Sequence, residues 1–237
     1  MDLAGKKAVV LGGTSGIGLA TVQQLLRRGA AVTACGRSQR NLDAADAAAP
    51  AADFRQVDVL DRVSLEQLFT AAAPFHMLVS AATGGERAMG PFLEMDLDGF
   101  HGSFRKLWGY VNSVRLGAPH MSEDGSIVLV SGAPARKCPP GMSAVSTVGN
   151  AVEGFVRAVA PEIAPLRINA VSPGVIDTPM FAVEGDARAK FIGALTRHNV
   201  IPRAGSTDEV AEAILFLLAN DFVTGTIVDV DGGALLP

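Results

Sequence analysis

Short apolar segments alternate with helical patterns along almost the whole chain, and this alternation most limits the folds that it can adopt. Several of these segments are continuously apolar, which is typical of strands buried on both faces of a parallel sheet. The repeated strand–helix–strand units predict an α/β fold, a doubly wound parallel sheet of about seven strands with helices on both faces. The predicted strands are Lys7–Leu11, Ala31–Ala34, Phe54–Val57, Met77–Ser80, Ile127–Ser131, Arg167–Val171 and Ile227–Val230.

Helical patterns lie between these strands. Gly29 suits the position just after a helix, Ser64 begins an S-x-x-Q pattern close to a capping box, and Thr207 is expected to cap the last helix. The polar, irregular segment 176–205 follows a strand, where ligands bind in such sheets, and we expect a substrate lid there, with an ordinary helical insertion as the alternative. The predicted helices are Ile17–Arg28, Ser64–Ala73, about Phe92–Met121, about Ser143–Ile163 and Thr207–Ala219.

Composition argues against several classes of function. The net charge is −4 with acidic and basic residues interspersed, so no nucleic-acid partner is expected. There is no signal-peptide pattern at the N-terminus and no apolar run of ~18 residues, so we expect a soluble, cytoplasmic protein without a membrane partner. The two cysteines, Cys35 and Cys138, form no CxxC pair, and we expect reduced thiols and no metal site.

A glycine-rich loop joins the first strand to its helix. The sequence VVLGGTSGIGLA places Gly12, Gly16 and Gly18 there. One glycine permits a tight turn, a second lets the backbone approach a pyrophosphate, and a third lets helix and strand pack closely. The N–H groups at the helix N-terminus bind phosphate. The loop therefore predicts a Rossmann-type dinucleotide site in a single domain that spans residues 1–237, with a tight turn without a ligand as the alternative.

The end of the second strand distinguishes the two nicotinamide cofactors. An acid there binds the adenosine ribose of NAD, whereas a basic residue pairs with the 2′-phosphate of NADP. The sequence VTACGRSQR has no acid, and Arg37 follows Gly36. An arginine fork suits phosphate geometry, so we expect NADP (NADPH) rather than NAD. A solvated loop arginine is the alternative.

Several motifs resemble those of the short-chain dehydrogenase/reductase family, over nearly the full length of the chain. GGTSGIG resembles the family's cofactor loop, and Asp58 with Val59 resembles the pair that contacts adenine. RINAVSPG, which begins at Arg167, and VIDT, which ends at Thr178, resemble the segment whose threonine contacts the nicotinamide amide. The cofactor-binding residues that the resemblance implies are Gly12, Thr14, Ser15, Gly16, Ile17, Gly18, Arg37, Asp58, Val59, Ala81, Ala82, Pro173, Gly174, Val175, Ile176 and Thr178.

The resemblance also implies an activity and an assembly. The activity is NADP(H)-dependent oxidoreduction of a small carbonyl, alcohol or enone substrate. The assembly is a homo-oligomer, a dimer or tetramer, built through two long helices at about Gly99–Met121 and Ser143–Ile163. Two other functions stay open on the same fold: a non-redox enzyme such as a dehydratase or isomerase, and a non-catalytic dinucleotide-binding sensor or scaffold.

The catalytic positions depart from the family's pattern of an Asn, a Ser and a Tyr-x-x-x-Lys pair. In GMSAVSTVGNAVEGF, Val145 stands at the tyrosine position and Gly149 at the lysine position. The serine position holds Gly132, or Ser131 with a slip of one residue, and the asparagine position holds Lys106. We therefore expect an atypical site that lacks the Tyr-x-x-x-Lys pair.

Lys106 and Ser131 are the catalytic candidates that this alignment leaves. In a dry cleft the pKa of Lys106 should fall, so that its amine acts as an acid or base near neutral pH. A lysine that simply reaches water is the alternative. Tyr110 is the chain's single tyrosine and lies one helical turn from Lys106, where we expect it to contact that lysine and to serve packing or a subunit interface.

Overall fold

The computed structural model of the protein describes residues 1–83, 87–181 and 183–237. Within them, seven strands form one sheet: β1 Lys7–Leu11, β2 Ala31–Gly36, β3 Asp53–Gln56, β4 Phe75–Ser80, β5 Met121–Val130, β6 Arg167–Pro173 and β7 Ile227–Val230. Their order is β3-β2-β1-β4-β5-β6-β7, and every neighbouring pair is parallel. The predicted doubly wound α/β sheet of seven strands is confirmed.

Helices cover both faces of this sheet. Successive residues of β1 alternate between two hydrophobic cores, with Ala8 and Val10 in one and Val9 and Leu11 in the other. The first core includes apolar residues of the helices at 16–27 and 207–219, and the second those of the helices at 62–72, 105–117 and 143–159. The described helices are α1 Gly16–Arg27, α2 Gln39–Ala48, α3 Arg62–Ala72, α4 Leu97–Ser103, α5 Arg105–Gly117, α6 Ser143–Val159, α7 Gly185–Thr196 and α8 Thr207–Ala219.

The segment from Phe92 to Met121 is not one helix, and that prediction was wrong. A 3-10 turn at Phe92–Glu94 precedes α4, and the helix is interrupted at Phe104. There the Phe104 N–H donates to the carbonyl of His101 at 3.0 Å, which is the tighter i→i+3 pattern. A second 3-10 turn at Ala118–His120 follows α5, and Met121 already begins β5.

Two predicted helix caps were also wrong. The carboxylate of Asp61 accepts hydrogen bonds from the N–H groups of Val63 and Ser64 at 3.0 and 3.2 Å, so α3 begins earlier than Ser64. The last helix does begin at Thr207, but its cap is Ser206, which forms a reciprocal capping box with Glu209. Gly29, by contrast, has the positive φ of 77° that suits its predicted position after α1.

One helix, α2 after β2, was not predicted. A second, α7, lies inside the segment 176–205, where a helical insertion was the alternative to a substrate lid. Short, largely exposed helices such as these carry a weak apolar periodicity, because most of their residues do not face a core. Among the described helices, none is long and apolar enough to cross a membrane.

Candidate functional site

The glycine loop after β1 is packed so closely that side chains would not fit. A Cβ on Gly12 would lie 2.6 Å from the backbone nitrogen of Ala82, and the φ of Gly12 is +78°. A Cβ on Gly18 would overlap the carbonyl oxygen of Gly12. The N–H groups of Gly12 and Gly13 donate to the carbonyl of Cys35 at 2.9 and 3.0 Å. The loop is therefore held by backbone contacts to β2 and to the end of β4.

The N-terminus of α1 has no internal cap. Ser15 is the N-cap residue in extended conformation and is exposed, and its side chain accepts no hydrogen bond from the first turn. No acidic residue lies in that turn, which begins with Gly16, Ile17 and Gly18. An uncapped helix end beside a glycine cradle leaves N–H donors and a partial positive charge for an anion. The loop thus fits the diphosphate of a dinucleotide.

Thr14 and Thr178 lie on two sides of this loop. The side chain of Thr14 is buried and packs so closely against Gly36 that a Cβ there would clash with it. The methyl carbon of Thr178 lies 3.5 Å from the position of a Cβ on Gly16, which has a φ of +52°. The structure therefore brings the segment after β6 onto the glycine loop, as the predicted set of cofactor residues requires.

Arg37 and Asp58 follow β2 and β3 at the same edge of the sheet. A guanidinium nitrogen of Arg37 lies 4.0 Å from Oδ2 of Asp58, and both side chains are partly exposed. Oδ1 of Asp58 accepts from the N–H of Leu60 at 3.0 Å, which fixes the turn that begins there. The neighbouring Val59 is buried, and its carbonyl accepts from the side chain of Asn112 at 3.1 Å. Arg37 has a carboxylate neighbour that the sequence analysis did not anticipate.

The ends of β4 and β6 complete this edge. Ala81 and Ala82 are half-buried after β4, and the Ala81 N–H donates to the carbonyl of Leu11 at 2.9 Å. Pro173 is the last residue of β6, and the Gly174 N–H donates to the carbonyl of Val230 at 3.0 Å.

Residues at the two ends of the predicted lid segment are paired with each other. The Gly205 N–H donates to the carbonyl of Val175 at 2.9 Å, and the Asp177 N–H donates to the carbonyl of Gly205 at 2.8 Å. Ile176, which is buried, forms an isolated parallel bridge with Gly205. The chain therefore leaves the sheet edge after Asp177 and returns to it at Gly205.

Lys106 lies on α5 at the end of β5. Its Nζ donates to the carbonyl of Ser131 at 3.3 Å and lies 5.6 Å from the centre of the Tyr110 ring. Burial, and secondarily the positive charge of Arg87, lower the pKa of Lys106 from 10.5 to about 7. A pKa near neutrality lets the amine both hold and release a proton, which the prediction for Lys106 requires.

Tyr110 contacts Lys106, as expected, and serves packing. Its ring is fully buried, and its hydroxyl donates to the carbonyl of Val130 at 2.9 Å. Burial raises the pKa of Tyr110 far above its usual range. This phenol is therefore a fixed hydrogen-bond donor inside the core rather than a group that exchanges protons.

The hydroxyl of Ser131 is directed towards α6. It is buried and lies 3.4 Å from the carbonyl of Gly149 and 3.4 Å from Oε1 of Glu153. Glu153 is itself buried, and Nε of Arg136 lies 3.4 Å from its Oε1. Arg136 also forms a two-pronged ion pair with Asp229 on β7. The hydroxyl of Ser131 thus faces α6, and its carbonyl is the group that Lys106 contacts.

Sequence reasoning missed this network of Arg136, Glu153 and Asp229. One signal was present, since Glu153 falls on the same helical face as Val152 and Val156. A carboxylate on an apolar face predicts a buried partner. The partner itself could not be found, because Arg136 and Asp229 come from distant parts of the chain.

Val145 and Gly149 lie on α6 beside a turn at Ala133–Ala135. A Cβ on Gly149 would lie 2.9 Å from the Cβ of Ala135, and the amide of Asn150 donates to the Ala135 carbonyl. Around Gly132 there is more space, since the nearest atom to its Cβ position is a proline carbon at 3.5 Å. Any side chain at position 149 would therefore displace the turn after β5.

Comparisons with known proteins agree with this geometry. A family model described as Enoyl-(Acyl carrier protein) reductase matches residues 12–234. The short-chain dehydrogenase/reductase ATR9 of Stachybotrys chlorohalonatus is 31% identical over 99% of this chain and 98% of its own length. The L-xylulose reductase of Mesocricetus auratus is 31% identical over 100% of this chain and 99% of its own length.

Three solved structures are similar over nearly the whole chain. A small-chain dehydrogenase in complex with NADPH is 28% identical, with a TM-score of 0.84 over 98% of this chain and 100% of that one. The reductase/Diels-Alderase MalC of Malbranchea aurantiaca is 28% identical, with a TM-score of 0.91 over 100% and 99%. An apo short-chain oxidoreductase of Pseudomonas aeruginosa PAO1, described as containing an atypical catalytic center, is 31% identical, with a TM-score of 0.88 over 99% and 98%.

Proposed function

The chain belongs to the short-chain dehydrogenase/reductase family, and we propose that it is an NADP(H)-dependent oxidoreductase of small carbonyl, alcohol or enone substrates with an altered catalytic site. The observation that carries this proposal is the glycine cradle beside the uncapped N-terminus of α1. A Cβ on Gly12 or Gly18 would clash with backbone atoms of Ala82 or Gly12, so only glycine lets the main chain turn this closely at the start of α1, where Ser15 offers an exposed hydroxyl.

The cofactor, when bound, supplies or accepts a hydride. The chain's part is to hold its two halves. The N–H groups at the start of α1 and the exposed hydroxyl of Ser15 bind the diphosphate, and Thr14, buried against Gly36, fixes the loop beside them. Ala81, Ala82 and the turn from Pro173 to Thr178 hold the nicotinamide half, since they lie at the ends of β4 and β6 around the same loop. The NADPH-bound relative supports this assignment.

Arg37 sets the preference for NADP over NAD. Its guanidinium follows β2, where the adenosine ribose of a bound dinucleotide lies in this fold. Asp58 is 4.0 Å away and keeps the guanidinium at the same edge of the sheet. A 2′-phosphate would accept two parallel hydrogen bonds from this fork.

Lys106 serves as the acid or base in place of a tyrosine. With a pKa near 7, its Nζ gives a proton to the substrate oxygen during reduction and takes one during oxidation. The carbonyl of Ser131 accepts a hydrogen bond from Nζ and so directs the amine. Val145 and Gly149, on the facing helix α6, offer no group that exchanges protons. The relative described as containing an atypical catalytic center supports an altered site in this fold.

We also propose a homo-oligomer formed through α5 and α6. Trp108 on α5 is 58% exposed, although most large aromatic side chains bury more of their surface. Several exposed apolar side chains, Met89, Phe92, Leu93 and Leu97, lie just before it in sequence. Sedimentation at micromolar protein concentration would distinguish a dimer or tetramer from a monomer.

A fluorescence titration with NADPH and NADH tests the cofactor proposal. We expect NADPH to bind more tightly than NADH, and Arg37→Met to weaken NADPH binding about 10-fold while leaving NADH unchanged, since one charge-assisted contact is lost. Arg40→Met is the matched control, because Arg40 is also exposed and lies three residues further along the chain. Failure of the wild-type protein to bind either dinucleotide would overturn the proposed function.

A further inference from the structure

Arg188 lies near the start of α7, and its guanidinium makes five hydrogen bonds to the segment that joins β6 to this helix. Nε donates to the carboxylate of Asp177 at 3.1 Å, and Nη2 donates to the same carboxylate. The other donors reach the carbonyls of Thr178, Phe181 and Val183 at 2.9, 2.7 and 3.1 Å. The Arg188 side chain is thus hydrogen-bonded to residues before and after Thr178 as well as to Thr178 itself.

Apolar packing contributes little to the position of α7. Thr196 is its only buried residue. Phe191 packs edge-on against Phe181 with ring centres 5.7 Å apart, yet it remains 40% exposed. A cleft of about 450 Å³ separates the helix from residues 203–206, and Asp177 and Arg188 are among its lining residues. The hydrogen bonds of Arg188 thus join α7 to described residues of the segment that follows β6.

One of the residues that Arg188 contacts, Thr178, lies against the glycine loop. Thr178, whose carbonyl accepts from Arg188, has its methyl carbon 3.5 Å from the Cβ position of Gly16. Just before it, Ile176 and Asp177 are paired with Gly205. Two sets of contacts therefore fix the position of Thr178: the pairing of the preceding residues with Gly205, and the hydrogen bond from Arg188 to the Thr178 carbonyl.

We propose that Arg188 is a positioning residue that holds Thr178 over the glycine loop and thereby sets the affinity for the nicotinamide half of the dinucleotide. This inference rests on the proposed function. Only a planar fork with five N–H donors can bind a carboxylate and three carbonyls at once, and a lysine has a single nitrogen. In the proposed function the adenosine half binds elsewhere, at Arg37 and Asp58, which lie 4.0 Å apart after β2 and β3.

The test compares two ligands that differ in the nicotinamide half. NADPH and adenosine 2′,5′-bisphosphate are titrated against the wild-type protein, Arg188→Met, Arg188→Lys and Lys190→Met. Lys190 is exposed on the same helix two residues away and serves as the matched control. We expect Arg188→Met to weaken NADPH binding about 10-fold, equivalent to one charge-assisted hydrogen bond, and to leave binding of the bisphosphate unchanged. Arg188→Lys should behave like Arg188→Met, because the fork is lost while the charge stays.

The outcomes separate the positioning role of Arg188 from the proposed function. Unchanged NADPH binding in Arg188→Met, or equal weakening of both ligands, overturns the positioning role, since a general loss of folding affects both halves alike. A wild-type protein that binds neither ligand overturns the proposed function and this inference with it. If Arg188→Met does not fold, Asp177→Asn replaces it. That change removes the negative charge that Arg188 binds and keeps the shape of the Asp177 side chain.

Discussion

Two regions at the carboxyl edge of the sheet are built in different ways. Around β1 and β2, the site consists of backbone: glycines that tolerate no side chain, N–H groups bound to the Cys35 carbonyl, and an uncapped helix end. Around β5, it consists of side chains from separate elements, with Lys106 on α5 and the buried Glu153 on α6. The first region is specified by one short stretch of sequence, and the second by contacts between residues far apart in the chain.

This difference separates the proposed binding of the dinucleotide from the proposed chemistry. A substitution in the glycine loop disturbs the main chain itself, so the loop tolerates almost no variation. A substitution at a catalytic side chain leaves the backbone in place, and another side chain can enter the cleft. Lys106, with its lowered pKa, is such a side chain in the proposed mechanism.

Among the variants that test this difference, Gly18→Ala should have the largest effect, on both stability and NADPH binding. Its Cβ would overlap the Gly12 carbonyl, and the glycine loop cannot move without disturbing β1. We expect the free energy of unfolding to fall by about 3 kcal/mol, because overpacking in a rigid environment destabilises the fold by this amount. We also expect NADPH binding to be lost. Chemical denaturation and fluorescence titration measure the two effects. Gly102→Ala is the control, since among the described residues no atom beyond the backbone of its own helix lies within 4 Å of its Cβ position, and it should leave both properties intact.

Lys106→Met should have the next largest effect. It should lower turnover and leave NADPH binding unchanged. We expect kcat to fall about 100-fold with the substrate found in a carbonyl and enone screen, as the loss of one general acid predicts. The dissociation constant for NADPH should stay the same, because Lys106 is not part of the glycine cradle. Steady-state kinetics and the fluorescence titration together measure this separation. Unchanged turnover would contradict the catalytic role of Lys106.

The pH profile gives a second measure of the same role. Since the pKa of Lys106 is about 7, the protonated amine needed for reduction disappears as the pH rises through 7, and the reduction rate should fall. Oxidation needs the neutral amine, so its rate should rise over the same range. Lys106→Met should flatten both profiles around pH 7. A profile that stays the same in this variant would assign the titration to another group.

Tyr110→Phe should have the smallest effect. The change removes the hydrogen bond from the hydroxyl to the Val130 carbonyl, so we expect a loss of about 1 kcal/mol in the free energy of unfolding. Turnover should stay within about two-fold of wild type, because the phenol exchanges no proton at neutral pH. Thermal unfolding and steady-state kinetics measure these quantities. A large loss of turnover with intact stability would instead make Tyr110 part of the catalytic machinery.

The sequence was most informative where structure is local. The bounds of β1, β7 and α8 were predicted without error, since each combines an apolar pattern with clear flanking residues. The start of α3 was missed because the S-x-x-Q pattern at Ser64 hid the stronger cap at Asp61. The break at Phe104 was missed because no proline or glycine occupies that position.

The site was predictable to a similar extent. The glycine loop, Thr178 and the contact between Lys106 and Tyr110 follow from spacing and from the family resemblance. The direction of the Ser131 hydroxyl and the five bonds of Arg188 do not, since their partners are fixed only when the chain folds. Residues that act through distant side chains leave little trace in a single sequence.

The close packing of Ala135 against Gly149 limits how α6 can be redesigned. A lysine placed at position 149 would have its first side-chain carbon 2.9 Å from the Cβ of Ala135, at a turn that the amide of Asn150 also contacts. An engineered tyrosine and lysine pair at positions 145 and 149 would therefore need a compensating change in this turn.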